Sequence, residues 1–185
     1  MKQLLTVILF LSWLSSSGQD KTNYVHYNKL IEVKGTAYVI ATIEHWGKMM
    51  SANSQYLLFI DTRNGQTKQV DFPKDAFVQS IDQVRIDSLG INTVLVAANT
   101  VNLDANKSID WNDPKQIILL SPDGQEKIQV TEDKYFVRTW MVNSITGTLV
   151  STGQYDSNNN GKYDKTDKNE ILVYDLKTRK LINRI

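Results

Sequence analysis

The sequence predicts an all-β chain built from three four-stranded units, set as propeller-like blades in a partial propeller or half-ring, with a β-sandwich as the alternative packing. Three observations lead there. Valine, isoleucine, tyrosine and threonine gather in short runs, and no long run has a helical period. The runs recur in one order, with corresponding residues 54 to 60 positions apart. Asn64-Gly65 and Asp123-Gly124, pairs suited to tight hairpins, stand between the third and fourth runs of the first two units.

In chain order, residues 1–18 read as a signal peptide. Lys2 supplies the positive start, Leu4 to Leu14 an apolar stretch, and Ser15-Ser16-Ser17-Gly18 a small-residue cleavage site, so Gln19 is expected to begin the mature chain. The apolar stretch falls short of the ~20 residues of a spanning helix, so no membrane anchor is expected. Residues 19–28 are a lead-in, and residues 29–185 a single β domain whose units occupy about 29–71, 78–130 and 136–185. The expected location is periplasmic or extracellular.

Each unit offers four strands. The first strands are Lys29 to Lys34, Ile81 to Asp87 and Thr139 to Ser144; the second run from Thr36 to Ala41, Thr93 to Ala98 and Thr148 to Thr152. The third strands run from Tyr56 to Asp61, Gln116 to Ser121 and Glu170 to Asp175, and Lys68, Lys127 and Lys180 open the fourth. On this alignment Thr36, Thr93 and Thr148 correspond, as do Asp61, Ser121 and Asp175.

The loop between the second and third strands carries the chemistry. In the third unit, Asp156, Asn158, Asn160, Asp164 and Asp167 fall at positions one, three, five, nine and twelve, with Gly161 at six and the Lys162 carbonyl at seven. Oxygens at alternate positions of a tight loop suit calcium, a hard cation that takes six to eight of them. The polar residues of an ordinary hairpin loop share part of this composition. A shorter loop in the second unit keeps Asp104, Asn106 and Ser108 in step, then reaches Asp110 and Asp113 two residues early and lacks the glycine. Calcium is the expected cofactor, in a structural role.

Phe59-Ile60-Asp61-Thr62-Arg63-Asn64-Gly65 and Ser121-Pro122-Asp123-Gly124-Gln125 resemble the strand–turn segments of TolB-like and WD-like propeller repeats in secreted bacterial proteins. The resemblance extends over residues 29–185 with degenerate motifs, and it implies blades ranged around an axis. The loop at 156–167 is similar to the helix-free Asp-x-Asn-x-Asn-Gly calcium loops inserted in such domains. It departs from an EF-hand in being flanked by strands and in ending on Asp167 rather than glutamate. Three blades are fewer than the four to eight of a closed ring, so the open edges are expected to meet a second copy or another protein.

Composition excludes several functions. There is no cysteine, hence no disulfide or thiolate chemistry. Without Lys2, 20 basic residues balance 20 acidic ones and no basic patch stands out, so nucleic acid is not an expected partner. His26 and His45 are single and far apart, and no nucleophile elbow or phosphate-cradling loop occurs. Met49-Met50 beside His45 read as loop packing. Trp46, Trp111 and Tyr163 lie in equivalent loops and are expected on one rim, where aromatics stack on a sugar, anchor a protein or cap their own blades. The expected function is a secreted, calcium-stabilised module that binds a protein or glycan. The alternative is a hydrolase of extracellular or envelope polymer, for which Glu32 and Glu44 are the nearest thing to a carboxylate pair.

Overall fold

The computed structural model describes residues 27–43 and 56–185. The leader, most of the lead-in, His26, Glu44, His45, Trp46 and Met49-Met50 lie outside the described residues. Among those described, twelve strands form three four-stranded antiparallel meanders. The first sheet holds β1 (Tyr27–Glu32), β2 (Tyr38–Ile43), β3 (Tyr56–Asp61) and β4 (Thr67–Asp71). The second holds β5 (Phe77–Ile86), β6 (Ile91–Asn99), β7 (Lys115–Leu120) and β8 (Lys127–Gln129), and the third β9 (Tyr135–Asn143), β10 (Thr148–Tyr155), β11 (Lys168–Asp175) and β12 (Lys180–Arg184). A single 3₁₀ turn, Asp87–Leu89, joins β5 to β6.

The middle sheet explains the packing. β6 and β7 read as unbroken apolar runs because both of their faces are covered. Cross-strand pairs Val94–Leu120 and Val96–Ile118 share one face with Ala98, and Leu95–Leu119 and Ala97–Ile117 share the other. The first face packs on Ile40, Leu57, Phe59 and Val70 of the first sheet. The second packs on Tyr135, Leu149, Leu172 and Tyr174 of the third. A two-sheet sandwich has one core; here a core lies on each side of the middle sheet, as between neighbouring blades. The outer sheets alternate instead, β3 and β10 burying every second residue. On the outward face of the third sheet Val150 and Val173 pair beside Met141, which is 68% exposed, with Ile171 and Ile185 close by.

Polar ties join the sheets. The Lys34 N–H donates to Gln83 Oε1 at 2.8 Å, and Gln83 Nε2 donates back to the Lys34 carbonyl at 2.8 Å. Arg179 pairs with Glu126 across the second and third sheets. At the far end, Arg184 of β12 engages Glu132 and the buried Glu170, which also meets Lys168.

Two details of the expected alignment are corrected. Tyr38 pairs with Asp61 as Thr148 pairs with Asp175, so Tyr38, two residues on, takes the place assigned to Thr36. Thr36 instead ties the turn: its hydroxyl donates to the Val33 carbonyl at 2.6 Å and accepts from the Tyr38 N–H at 3.0 Å. The first strands of the second and third units begin earlier than their patterns suggest, at Phe77 and Tyr135. Each contains a bulge that shifts the side-chain alternation, with Gln79 the extra residue in β5 and Arg138 in β9. β1 carries the same irregularity between Tyr27 and Lys29.

The hairpins from third to fourth strand are held by acids. Asp61 accepts from the Arg63 guanidinium at 2.9 and 2.6 Å and from the Arg63 N–H at 3.0 Å, and Asp175 accepts from the N–H groups of Lys177 and Thr178. The Arg63 side chain first, then its backbone, pushes Asp61 down to about 2. A carboxyl held below its unfolded value contributes stability that is complete above about pH 4 and is lost as pH falls toward about 2. Asp61→Asn is therefore expected to lower the melting temperature clearly at pH 7 and much less at pH 2. Thermal melts of both proteins across that range check it, and a pH-independent gap between them contradicts it.

Candidate metal loops and the cleft between them

The two Asp loops have one backbone design. Asn158 Oδ1 accepts from the Asn160 N–H at 2.9 Å, and Asn160 Oδ1 from the Lys162 N–H at 2.8 Å. Asp164 Oδ1 accepts from the Thr166 N–H at 2.7 Å, and Asp167 Oδ2 from the Asp164 N–H at 3.0 Å. In the second unit the same bonds run from Asn106 to Asp104, Ser108 to Asn106, Asn112 to Asp110 and Asp110 to Asp113. The closing carboxylates, Asp113 and Asp167, are both buried, and each also accepts an N–H from the loop's second residue, Leu103 or Ser157. The fourth residue is left-handed in both, Ala105 at φ 55 and Asn159 at φ 58.

This equivalence corrects the reading of the shorter loop. Asp104, Asn106, Ser108, Asp110 and Asp113 match Asn158, Asn160, Lys162, Asp164 and Asp167 one for one, at a constant offset of 54. The loop is therefore twelve residues long and begins at Asn102, the counterpart of Asp156. Asn102 was missed because it is an amide rather than an acid; the constant offset is the signal that finds it. Asp110 and Asp113 are not early but at positions nine and twelve.

The loops differ at position six. Gly161, at φ 71, turns its N–H onto Asp156 Oδ2 at 3.0 Å, while Asp156 Oδ1 takes the Asn160 N–H at 3.1 Å. Lys107 stands there in the second unit, and Asn102 instead donates from Nδ2 to the Asn106 carbonyl at 3.0 Å. Asn102 Oδ1 is left buried with no hydrogen-bond partner among the described residues. Asp164 Oδ2 is where the third-unit side chains meet, accepting from Asn160 Nδ2 at 2.6 Å and Asn158 Nδ2 at 3.5 Å. Three bonds from Thr166 and Asn160, that of the Thr166 hydroxyl foremost, push Asp164 down to about 2. Among the described residues no three histidine or acidic side chains converge on one point. The donor set is one of amide, carboxylate and backbone oxygens, the chemistry a hard cation takes.

The loops also seat against each other. A Cβ on Gly161 would lie 2.5 Å from the Leu103 carbonyl and 2.8 Å from the Asp104 Cα, so the third-unit loop touches the backbone of the second-unit loop. Beside this contact lies a cleft of about 690 Å³. Trp111 and Tyr163 both line it, and Trp46 lies outside the described residues. Each ring rests on an aromatic of its own first strand, Trp111 on Phe77 at 4.3 Å between centroids and Tyr163 edge-on to Phe136 at 5.9 Å. Neither folds away as a cap, for Trp111 is 74% exposed and Tyr163 51%.

The bulges aim further residues at the same place. Gln79 and Arg138 both line the cleft, which is the usual consequence of a bulge beside a site. Gln79 Nε2 donates to Asn99 Oδ1 at 2.6 Å, and Asn99 in turn donates to the Asp113 carbonyl at 2.7 Å. The bulge at Arg138 needs Gly153 opposite, where a Cβ would come within 2.2 Å of the Phe136 carbonyl. Lys115 completes the wall, its amine 5.0 Å from the Trp140 ring centre and held below its ordinary value by burial. The cleft's carboxylates, Asp104 and Asp113, have their oxygens taken by donors of their own loop. Glu32 of the expected carboxylate pair lies exposed on β1.

Comparison with known proteins adds little. No family model matches the chain, and no curated relative matches it. A solved structure of the acylaminoacyl peptidase of Pyrococcus horikoshii is similar at 13% identity and a TM-score of 0.46, covering 89% of this chain. The chain spans 25% of that protein's length, and a likeness this loose carries no conclusion about activity. Among the described residues no helix is long and apolar enough to cross a membrane.

The contact at Gly161 gives a sharp test. Alanine there must adopt a left-handed backbone, which costs about 1–2 kcal/mol, and must also push the Leu103 carbonyl aside. Gly161→Ala is expected to lower unfolding stability by about 2 kcal/mol or more, with slowed-exchange amides lost in both Asp loops. Denaturant titration and hydrogen exchange measure the two effects, and an unchanged second-unit loop contradicts the seating.

Proposed function

We propose that the chain is an exported, calcium-steadied binding module that takes a glycan in the cleft between its second and third units. The observation that carries this reading is the placement of Trp111 and Tyr163, anchored on their own strands yet largely exposed, on one cleft beside the paired Asp loops. The face of a sugar ring is a sheet of C–H groups, and a fixed aromatic ring receives it at little entropic cost. The volume falls within the ~300–1,000 Å³ of ordinary ligand clefts. The hydrolase reading draws no support from the cleft's carboxylates, whose oxygens are committed to loop geometry.

Calcium would be held by Asp156, Asn158, Asn160, the Lys162 carbonyl, Asp164 and Asp167 in the third unit. In the second it would be held by Asn102, Asp104, Asn106, Ser108, Asp110 and Asp113. The buried, unpartnered oxygen of Asn102 supports the fit, as does the purely oxygen donor set. The ion would fix two touching loops and so the distance between the two aromatic rings. Aspartate in place of glutamate at position twelve, and only two further acids per loop, favour weak sites in the range of ~10⁻⁴–10⁻³ M that suits an exported protein.

With free calcium at 100 times the dissociation constant, stability is expected to rise by about 2.7 kcal/mol per site. Asp156→Ala is expected to abolish the gain from the third-unit loop, and Asn102→Ala that from the second. Melts in calcium and in chelator, with native mass spectrometry for stoichiometry, check this; superimposable wild-type curves contradict it. Binding to an oligosaccharide array is expected in calcium and to be lost in Trp111→Ala, and equal retention by that variant contradicts the cleft as the site.

A further inference from the structure

The proposed glycan cleft has a charge arrangement that says what kind of glycan it takes. Arg138, Lys115 and Lys162 line it, and among the described residues none of the three has a carboxylate within ion-pair distance. The two carboxylates on the same wall are already spoken for. Asp113 accepts from the N–H groups of Leu103 and Asp110 at 2.7 and 2.8 Å, and Asp104 from the N–H and side-chain amide of Asn106 at 3.1 and 3.2 Å. Three cations therefore face a cleft whose own acids are turned into the loops behind them.

Arg138 is the most pointed of the three. It is the extra residue of the β9 bulge, set out of the strand's alternation, and the chain keeps Gly153 opposite so that the bulge can close. A bulge in a paired strand gives up ladder bonding to re-aim a side chain. The guanidinium so placed is a planar fork of donors that fits a carboxylate or sulfate with two parallel bonds. The flanking rings of Trp111 and Tyr163 supply apolar faces for the sugar, and Gln79 and Asn112 supply amides for its hydroxyls.

We infer that the cleft takes an acidic saccharide, its carboxylate or sulfate held by Arg138 while Trp111 and Tyr163 stack on the ring. This deepens the glycan-binding reading and rests on it. Lys115 and Lys162 lend longer-range attraction, which steers an anion toward the cleft and weakens with salt.

The test is an array of oligosaccharide hexamers probed with the whole exported chain in millimolar calcium. It carries carboxylated members (galacturonate, mannuronate), a sulfated member (chondroitin sulfate), neutral members (cello-, chito- and xylo-series) and hexaglutamate as an anionic peptide. The members that bind are then followed by calorimetry. An acidic hexamer is expected to bind about tenfold or more tightly than any neutral one, with affinity falling as sodium chloride rises. Arg138→Gln, checked by circular dichroism, is expected to erase that difference, and Trp111→Ala to weaken every sugar. The carboxylated and sulfated arms identify the group. Neutral hexamers binding as tightly as acidic ones, or a salt-independent affinity in the wild type, would overturn the inference and leave the glycan reading standing. An unchanged acidic preference in Arg138→Gln would overturn the assignment to that residue. Binding of hexaglutamate alone, or of nothing on the array, would overturn both readings.

Discussion

Everything in this fold depends on covering both faces of β6 and β7. Their alternating residues serve two cores, so neither strand has a side that tolerates water. The middle sheet alone would expose two apolar faces, and each outer sheet alone would expose one. Stability is therefore a property of neighbours, as expected of stacked repeats. The asymmetry between buried middle and half-buried outer sheets also explains a difference in composition. β6 holds Val94 to Ala98 in one run, whereas β3 and β10 alternate.

With the sheets fixed in this way, the loop end of the second and third units becomes a rigid platform. The bulges in β5 and β9 and the aromatic supports Phe77 and Phe136 lie on strands that the cores hold, and Gly161 seats the third-unit loop on the backbone of the second-unit loop. The Asp loops keep their shape through side chains that mimic backbone turns, Asn158, Asn160, Asn106 and Asp110 each receiving an N–H two residues on, while the closing Asp113 and Asp167 receive theirs from residues before them. Burying Asp113, Asp156 and Asp167 would be costly without donors, and each has them.

Much of this was legible in the sequence because the period of the pattern is physical. Alternation and turn residues marked the third strand of every unit and the second strand of the second and third units, and the regular oxygens at 156–167 marked the loop design. What was not legible had specific causes. Asn102 hides because an amide at the first position looks like any loop residue, and Lys107 in place of glycine removes the other marker. The true partner of Asp61 is Tyr38 because a turn of unequal length precedes β2, and length differences in turns shift an alignment without altering its pattern. Arg138 and Gln79 could not be found at all, since a bulge is a feature of pairing between two strands rather than of either sequence.

Net charge gave a further false simplicity. The chain carries 21 basic and 20 acidic residues, a balance that excludes a broad electrostatic surface but says nothing about a local one. The structure separates the two signs by what each can bond. Acids are short, accept N–H groups readily, and are drawn into turns, as Asp61, Asp104, Asp113, Asp164 and Asp175 are. Lysine and arginine have no acceptor to offer an N–H and have long stems, so they are not drawn into these turns. Lys115 of β7, Arg138 of β9 and Lys162 of the third-unit loop thus line a cleft whose own acids, Asp104 and Asp113, are turned into their loop, a local imbalance that the neutral total hides.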